Sequence, residues 1–279
     1  MRKSPAGGLP VGDFDDKASD MLLTLAALFS PFYYFAHSIF LGLWPALQLL
    51  QANHLSRKFA IKVKYAEQPI TVRGKTSDVS VFYEIFALKL YHIPKREVKS
   101  ILDLGANVGY ASIYFAHFFP GARIIALEPE SSNYQALLEN TQAYHNISCV
   151  HAPIWPVEAE LVLQNPQASK WGFQYRESEK VANEPVIKAQ TLPGLMEKFG
   201  LERINVLKID IEGAEEALFA ANTDWLRYVD CLQIEIHSEQ ARASVFNALV
   251  GYSYSYDRVF NHYRITLNTP LCGTNGRPI

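Results

Sequence analysis

Leu102-Asp103-Leu104-Gly105-Ala106-Asn107-Val108-Gly109-Tyr110 is the stretch that decides the fold. The apolar run Ser100–Leu104 leads into it and reads as a buried strand. Residues 110–118, YASIYFAHF, lead out of it with helical spacing and stop at Pro120-Gly121. Between the two, the glycines read as a tight turn. Gly105 removes a Cβ where the chain must bend sharply, and it lets backbone approach a ligand closely. The start of the following helix offers unpaired N–H groups to a polar ligand.

Working outward, residues 123–127 (RIIAL) read as a second strand, closed by Glu128-Pro129. Residues 131–144 read as a helix with Ser131 or Ser132 as N-cap, and 147–151 as a third strand. Strands are expected at 186–191, 204–210 and 231–236, with helices at 192–199, 214–221 and 238–249. The runs YSYSY and YRITL near the end read as a hairpin. Ahead of the turn stand two short leading strands, 59–65 and 69–72. A helical spacing of Val81, Ile85, Leu88 and Tyr91 follows them. Residues 153–186 are less regular and suggest a hairpin excursion around AELVLQ. This rhythm predicts a Rossmann-like α/β fold: a mostly parallel seven-stranded sheet with an antiparallel edge hairpin and helices on both faces.

In doubly wound folds, an acid closing the second strand accepts both ribose hydroxyls of a nucleotide, and Glu128 stands there. Two cofactors compete for such a turn. The dinucleotide fingerprint is GxGxxG, with a helix aimed at pyrophosphate. Here the spacing is G-A-N-V-G, and Asp103 precedes it. An acid at that place repels a pyrophosphate but suits a ligand carrying an ammonium and a sulfonium. The charge argument therefore favours S-adenosylmethionine (SAM) over NAD.

A second polar group lies further on. In KIDIEGAE, Lys208, Asp210 and Glu212 alternate, so in a strand they share one side. Glu235 and His237 end the neighbouring strand. Both sets fall at carboxyl ends, where open α/β sheets hold their ligands. Asp210, His237 and Glu235 are the candidate catalytic residues, as bases that take a proton from an acceptor hydroxyl. Alternatively, Asp210 and further carboxylates could hold a divalent ion, and hard oxygen ligands would select Mg²⁺. Plainer roles compete: Glu212 as a helix cap, Glu215 and Glu216 as first-turn residues suited to the helix dipole, Lys208 as an ion-pair partner of Asp210, and His237 as a strand-end hydrogen-bonding group. His151 and His262 carry no catalytic expectation.

LDLGANVGYASIYFA, ALEPE and VLKIDIEGAEEALF resemble the FkbM-type methyltransferases, as do TSDVSVFYEIF, WGFQY and LQIEIH. The resemblance covers roughly residues 70–265. It implies a class I SAM-dependent enzyme that methylates oxygen on a sugar, glycolipid or secondary metabolite. It carries over Asp103, Gly105, Asn107, Gly109 and Glu128 as cofactor contacts, and it sets Asp78 and Glu84 in a matching leading segment. Residues 153–190, with Trp155, Trp171 and Tyr175, are expected to shape the acceptor pocket.

The chain divides into residues 1–20, a Gly/Pro/Asp-rich terminus; 21–57, an apolar segment; and 58–279, the catalytic domain. No Asp, Glu, Lys or Arg occurs from Met21 to Ser56, a length that would span a bilayer, yet Pro31 and Pro45 would break a long helix there. A membrane anchor, helices packed on the domain and an oligomer interface all fit that segment. If it spans, Arg57, Lys58, Lys62 and Lys64 place the domain in the cytoplasm. The net charge of −2 offers no basic field, so a nucleic-acid partner is not expected. Cys149, Cys231 and Cys272, odd in number and widely spaced, read as reduced packing cysteines. A SAM-binding scaffold without activity and an NAD-linked oxidoreductase are the competing functions.

Overall fold

The computed structural model describes residues 2–3, 41–94, 97–163, 175–177 and 186–268. In chain order the strands are β1 (Arg2–Lys3), β2 (Lys58–Ile61), β3 (Ile70–Arg73), β4 (Ser100–Leu104), β5 (Arg123–Leu127), β6 (Ile147–Val150), β7 (Glu160–Leu163), β8 (Tyr175–Glu177), β9 (Val186–Lys188), β10 (Val206–Ile209), β11 (Cys231–Glu235), β12 (Tyr254–Val259) and β13 (His262–Leu267). The helices are α1 (Leu43–His54), α2 (Asp78–Tyr83, continued by a π turn, Glu84–Leu88), α3 (Tyr110–Phe118), α4 (Ser131–Thr141), α5 (Leu192–Phe199), α6 (Glu215–Ala220) and α7 (Glu239–Ala248).

The main sheet runs β1-β12-β13-β11-β10-β4-β5-β6. Strands β11, β10, β4, β5 and β6 are parallel, and the β12–β13 hairpin closes one side antiparallel. This is the Rossmann-like sheet expected, extended at its edge by the two-residue β1 on β12. The chain leaves β4 towards β5 and β6, then returns to lay β10 on the other flank of β4. That reversal opens a crevice at the carboxyl ends of β4 and β10. The leading strands β2 and β3 form their own antiparallel pair, and β8-β7-β9 make a third sheet within the irregular region.

Every position of β4 and β10 is buried, which is why both read as unbroken apolar runs. Alternation then sorts the side chains. Leu102, Leu104, Leu207 and Ile209 face a core with Leu195, Leu218 and Val245. Ile101, Ile124 and Val206 face the opposite core, with α3 and an aromatic group including Phe82, Phe86, Tyr110 and Tyr114. On that second face one register row is polar: Asp103 pairs Lys208, and Lys208 pairs Gln233, which pairs Arg264. The row marks where the apolar core gives way to the crevice.

Three local expectations are corrected. The N-cap of α4 is Glu130, whose side chain accepts from the Asn133 N–H, so neither Ser131 nor Ser132 caps it. The N-cap of α6 is Ala214, so Glu212 does not cap that helix. The strand expected at 59–65 stops at Ile61. Of the apolar N-terminal segment, residues 21–40 lie outside the described residues. Its later part forms α1, which buries Ala46, Leu49 and Ala52 and exposes Leu43 and Trp44. Among the described residues no helix is long and apolar enough to cross a membrane. Cys149 and Cys231 are not joined in a disulfide among the described residues, and Cys272 lies outside them.

Candidate active site

The glycine turn takes its shape from the protein's own packing. Gly105 has φ +74°, and a Cβ on it would lie 1.7 Å from the carbonyl oxygen of Asp210. The missing side chain lets the β4 turn close against the end of β10. Gly109, at φ +90°, begins α3, and a Cβ there would come within 2.7 Å of Leu137 on α4. Between them Asn107 adopts a left-handed φ of 51°, a conformation Asn tolerates better than most residues.

The turn presents Asn107 to Glu128 across the top of β4 and β5. The Asn107 N–H donates to Glu128 Oε2 at 2.8 Å, and the Glu130 N–H donates to Oε1 at 2.9 Å. Each carboxylate oxygen keeps a further lone pair. Burial pushes the Glu128 carboxyl up to about 7, against the lowering effect of those two backbone bonds. The Asn107 side-chain oxygen is buried with no hydrogen-bond partner among the described residues. Glu128, Asn107 and Gly105 line a cavity of about 270 Å³.

Asp103 does not reach that cavity. It is fully buried beneath the turn, accepting from Ser112 Oγ at 2.6 Å and pairing with Lys208 Nζ at 3.2 Å. Its register partner across the sheet is Lys208, so its charge is neutralised inside the fold. The expectation that Asp103 faces a cationic ligand is therefore corrected. The acids that face the cavity are Glu84, Glu128, Asp210, Glu212 and Glu235. Gly109 likewise lies outside the lining, its role being to seat α3 on α4. Asp78 is fully buried as well, in a two-bonded pair with Arg73 at 2.7 and 2.9 Å.

At the other end of the cavity the acids gather around His237. Its Nδ1 lies 2.9 Å from Glu215 Oε1, and against a carboxylate that nitrogen carries the proton. Its Nε2 lies 3.4 Å from Glu212, 3.7 Å from Glu235 and 3.9 Å from Asp210. Burial alone would lower the His237 pKa, but Glu215, Asp210 and Glu235 outweigh it and raise the value to about 10. Burial raises Glu212 and Glu235, each reinforced by the charge of Asp210. Asp210 is half-buried, yet Lys208 at 3.4 Å holds its carboxyl below the usual range. Lys208 further donates to the Gly105 carbonyl at 2.6 Å. The ion-pair reading of Lys208 describes what the structure contains.

Some neighbours were not foreseen. Tyr91 donates its hydroxyl to Asp210 Oδ2 at 3.3 Å and lines the cavity. Glu215 is fully buried behind His237, where only a dipole role was expected of it. His262 lies 3.5 Å from Glu235 Oε2, and burial lowers its pKa to about 4. Asn261 donates to Glu235 Oε1 at 2.6 Å. Glu84 is raised to about 8 by burial, with Glu235 and Asp210 adding to it. Of the residues expected to shape an acceptor pocket, Trp155 lines the cavity. Trp171 lies outside the described residues, as does the side chain of Tyr175.

The sequence profile of the methyltransferase FkbM domain matches residues 103–259, more than half of the chain. Methyltransferase 1 of Beauveria bassiana (strain ARSEF 2860) is 28% identical over 155 residues, covering 47% of this chain and 62% of that protein. Methyltransferase sdnD of Sordaria araneosa is 26% identical over 168 residues, covering 48% of this chain and 65% of that protein. The chain thus matches less than two thirds of the length of either relative. A crystal structure of methyltransferase FkbM from Methylobacillus flagellatus KT aligns with a TM-score of 0.46 at 12% identity, over 67% of this chain and 48% of that one.

Proposed function

The chain belongs to the FkbM methyltransferase family, and from that premise we propose that it moves the methyl group of SAM to a hydroxyl oxygen of a carbohydrate, glycolipid or secondary metabolite. The observation that carries the reading is the shared cavity. Glu128 and Asn107 line one part of it, and Asp210, Glu212 and Glu235 line another. Family membership sets the oxidoreductase alternative aside.

Glu128 and Asn107 are the residues that would hold the adenosyl end. Both Glu128 oxygens keep an unused lone pair for a ribose hydroxyl, and the orphaned Asn107 oxygen is a ready acceptor. The carboxyls of the far wall suit a ligand that carries positive charge. When bound, SAM supplies a sulfonium methyl group whose departure leaves a neutral thioether.

An aliphatic hydroxyl is a poor nucleophile until its proton leaves. Glu235 is suited to take that proton, because burial raises its proton affinity towards neutrality. Glu235 would take the hydroxyl proton as the acceptor oxygen accepts the methyl group that bound SAM would supply. Asp210 stays ionised beside it, and His237, held by Glu215, stands against the Asp210, Glu212 and Glu235 carboxylates without itself lining the cavity. Trp155 and the apolar side chains of Val81, Ile85 and Ile154 flank the cavity and exclude water from the reacting atoms. We assign the activity to the cytoplasm, where SAM is made.

Titration calorimetry with S-adenosylhomocysteine tests the cofactor assignment. Wild type is expected to bind and Glu128→Ala to lose affinity; unchanged affinity in the variant defeats the assignment. Asp210→Asn and His237→Ala are expected to abolish methyl transfer while keeping that affinity within a few-fold. Turnover retained by both removes these residues from the chemistry.

A further inference from the structure

His237 is held as a ligating imidazole is held. One ring nitrogen, Nδ1, is fixed by the fully buried carboxylate of Glu215. The other, Nε2, is buried and has no hydrogen-bond partner among the described residues. A carboxylate behind the distal nitrogen is the arrangement that orients metal-bound histidines and raises their basicity. The free nitrogen points at oxygen atoms: Glu212 Oε2 at 3.4 Å and Asp210 Oδ1 at 3.9 Å.

The carboxylates are arranged to match. Asp210 Oδ2 is engaged by the Tyr91 hydroxyl and by Lys208, which leaves Oδ1 towards His237. Donor atoms of Asp210, Glu212 and His237 all lie within 4.8 Å of one another. Bonds of ~2.1 Å at right angles set neighbouring donors roughly 3 Å apart, so a small contraction of the side chains closes the set. The surrounding charge also calls for a cation. Glu84 and Glu235 share this wall. Lys208 already answers Asp103. Half-buried carboxylates gathered in such excess repel one another unless a cation compensates them.

We propose that Asp210 Oδ1, Glu212 Oε2 and His237 Nε2 form a divalent-cation site, of Mn²⁺ type, in the wall of the cavity. Two oxygens alone would suit Mg²⁺, as the sequence suggested. The imidazole nitrogen shifts the preference towards Mn²⁺, which accepts carboxylate and nitrogen together. The cation displaces the proton on the imidazole. The site rests on the methyl-transfer reading and deepens it. His237 then serves as a ligand, and Glu235, outside the ligand set, remains to take the acceptor proton.

The test uses chelator-treated full-length protein titrated with MnCl₂, the free ion being followed by its electron paramagnetic resonance signal. Wild type is expected to remove one equivalent of signal per chain. Glu212→Gln and His237→Ala are each expected to weaken uptake at least tenfold, and Glu216→Gln, on the exposed side of α6, to leave it unchanged. Mg²⁺ is expected to displace Mn²⁺ only in large excess. Undiminished signal with wild type overturns the site, and wild-type uptake by both ligand variants overturns the ligand set. Displacement by equimolar Mg²⁺ overturns the Mn²⁺ preference. Binding of S-adenosylhomocysteine, measured on the same samples without metal, shows that the variants are folded. If wild type fails that measurement alone, the cofactor assignment falls and the metal result stands separately.

Discussion

Glu128 is a buried carboxyl whose oxygens each accept one backbone N–H and face a cavity. Burial raises its pKa from the ordinary 4.5 to about 7. The folded chain therefore keeps a proton that the unfolded chain releases, so this residue contributes stability that is full below pH 4.5 and falls as pH rises through about 7. On the proposed assignment ligand binding has the opposite sign, since ribose hydroxyls would donate to the carboxylate form. Affinity for S-adenosylhomocysteine is expected to rise with pH up to about 7, by as much as ~10-fold per unit below it. Calorimetry from pH 5.5 to 8 checks this, and Glu128→Gln should flatten the profile. A profile equally steep in that variant would assign the proton elsewhere. Gly105 is a residue of another kind. Its absent Cβ makes room for the Asp210 carbonyl, so Gly105→Ala must move the backbone and also strain a positive φ. The expected loss is ~3 kcal/mol or more in urea unfolding, beyond an ordinary overpacking cost.

Among the elements, α2 and the leading hairpin are pinned by one buried pair. Arg73 holds Asp78 through two guanidinium bonds and its backbone N–H, and also donates to Asn133 Oδ1 at 2.8 Å and the Ser132 carbonyl at 3.2 Å. This ties β3 and α2 to α4. Asp78→Ala leaves the guanidinium without its charged partner and is expected to cost ~3–5 kcal/mol in chemical unfolding. A loss under 1 kcal/mol (roughly that of an exposed pair) would show that the tie is dispensable. The strand–helix succession was legible because β4, β5, β10 and β11 are buried on both faces and read as apolar runs between turns. Glu128, Asp210, Glu235 and His237 were legible because each follows such a run directly. Tyr91 was not: it meets Asp210 from 119 positions away, and its apolar helical spacing argued for core. Glu215 and His262 were hidden in the same way, since first-turn and strand-start positions do not reveal which side chain will pack behind another. Asp103 misled because the motif sets it beside the turn, while the pleat turns it inward to Lys208.

Across the molecule, the cavity joins the Glu128 end to the end that holds Asp210, Glu212 and Glu235, and Lys208 stands between them. Its ammonium meets the Gly105 carbonyl, Asp103 and Asp210. Lys208→Met is expected to weaken S-adenosylhomocysteine binding and methyl transfer together, whereas His237→Ala affects transfer alone. A Lys208 variant with wild-type affinity would show that the halves are independent. The exposed Leu43 and Trp44 of α1 are not among the residues that line the cavity.

The contact between Gly105 and the Asp210 backbone has a mechanical consequence. Two loops that touch main chain to main chain cannot hinge apart without opening the sheet itself, so adjustment to an incoming molecule falls to the outer rim. Substrates of different shape would then be told apart by lining side chains outside that contact, such as Val81 and Trp155, while the joined main chain stays the same for all of them.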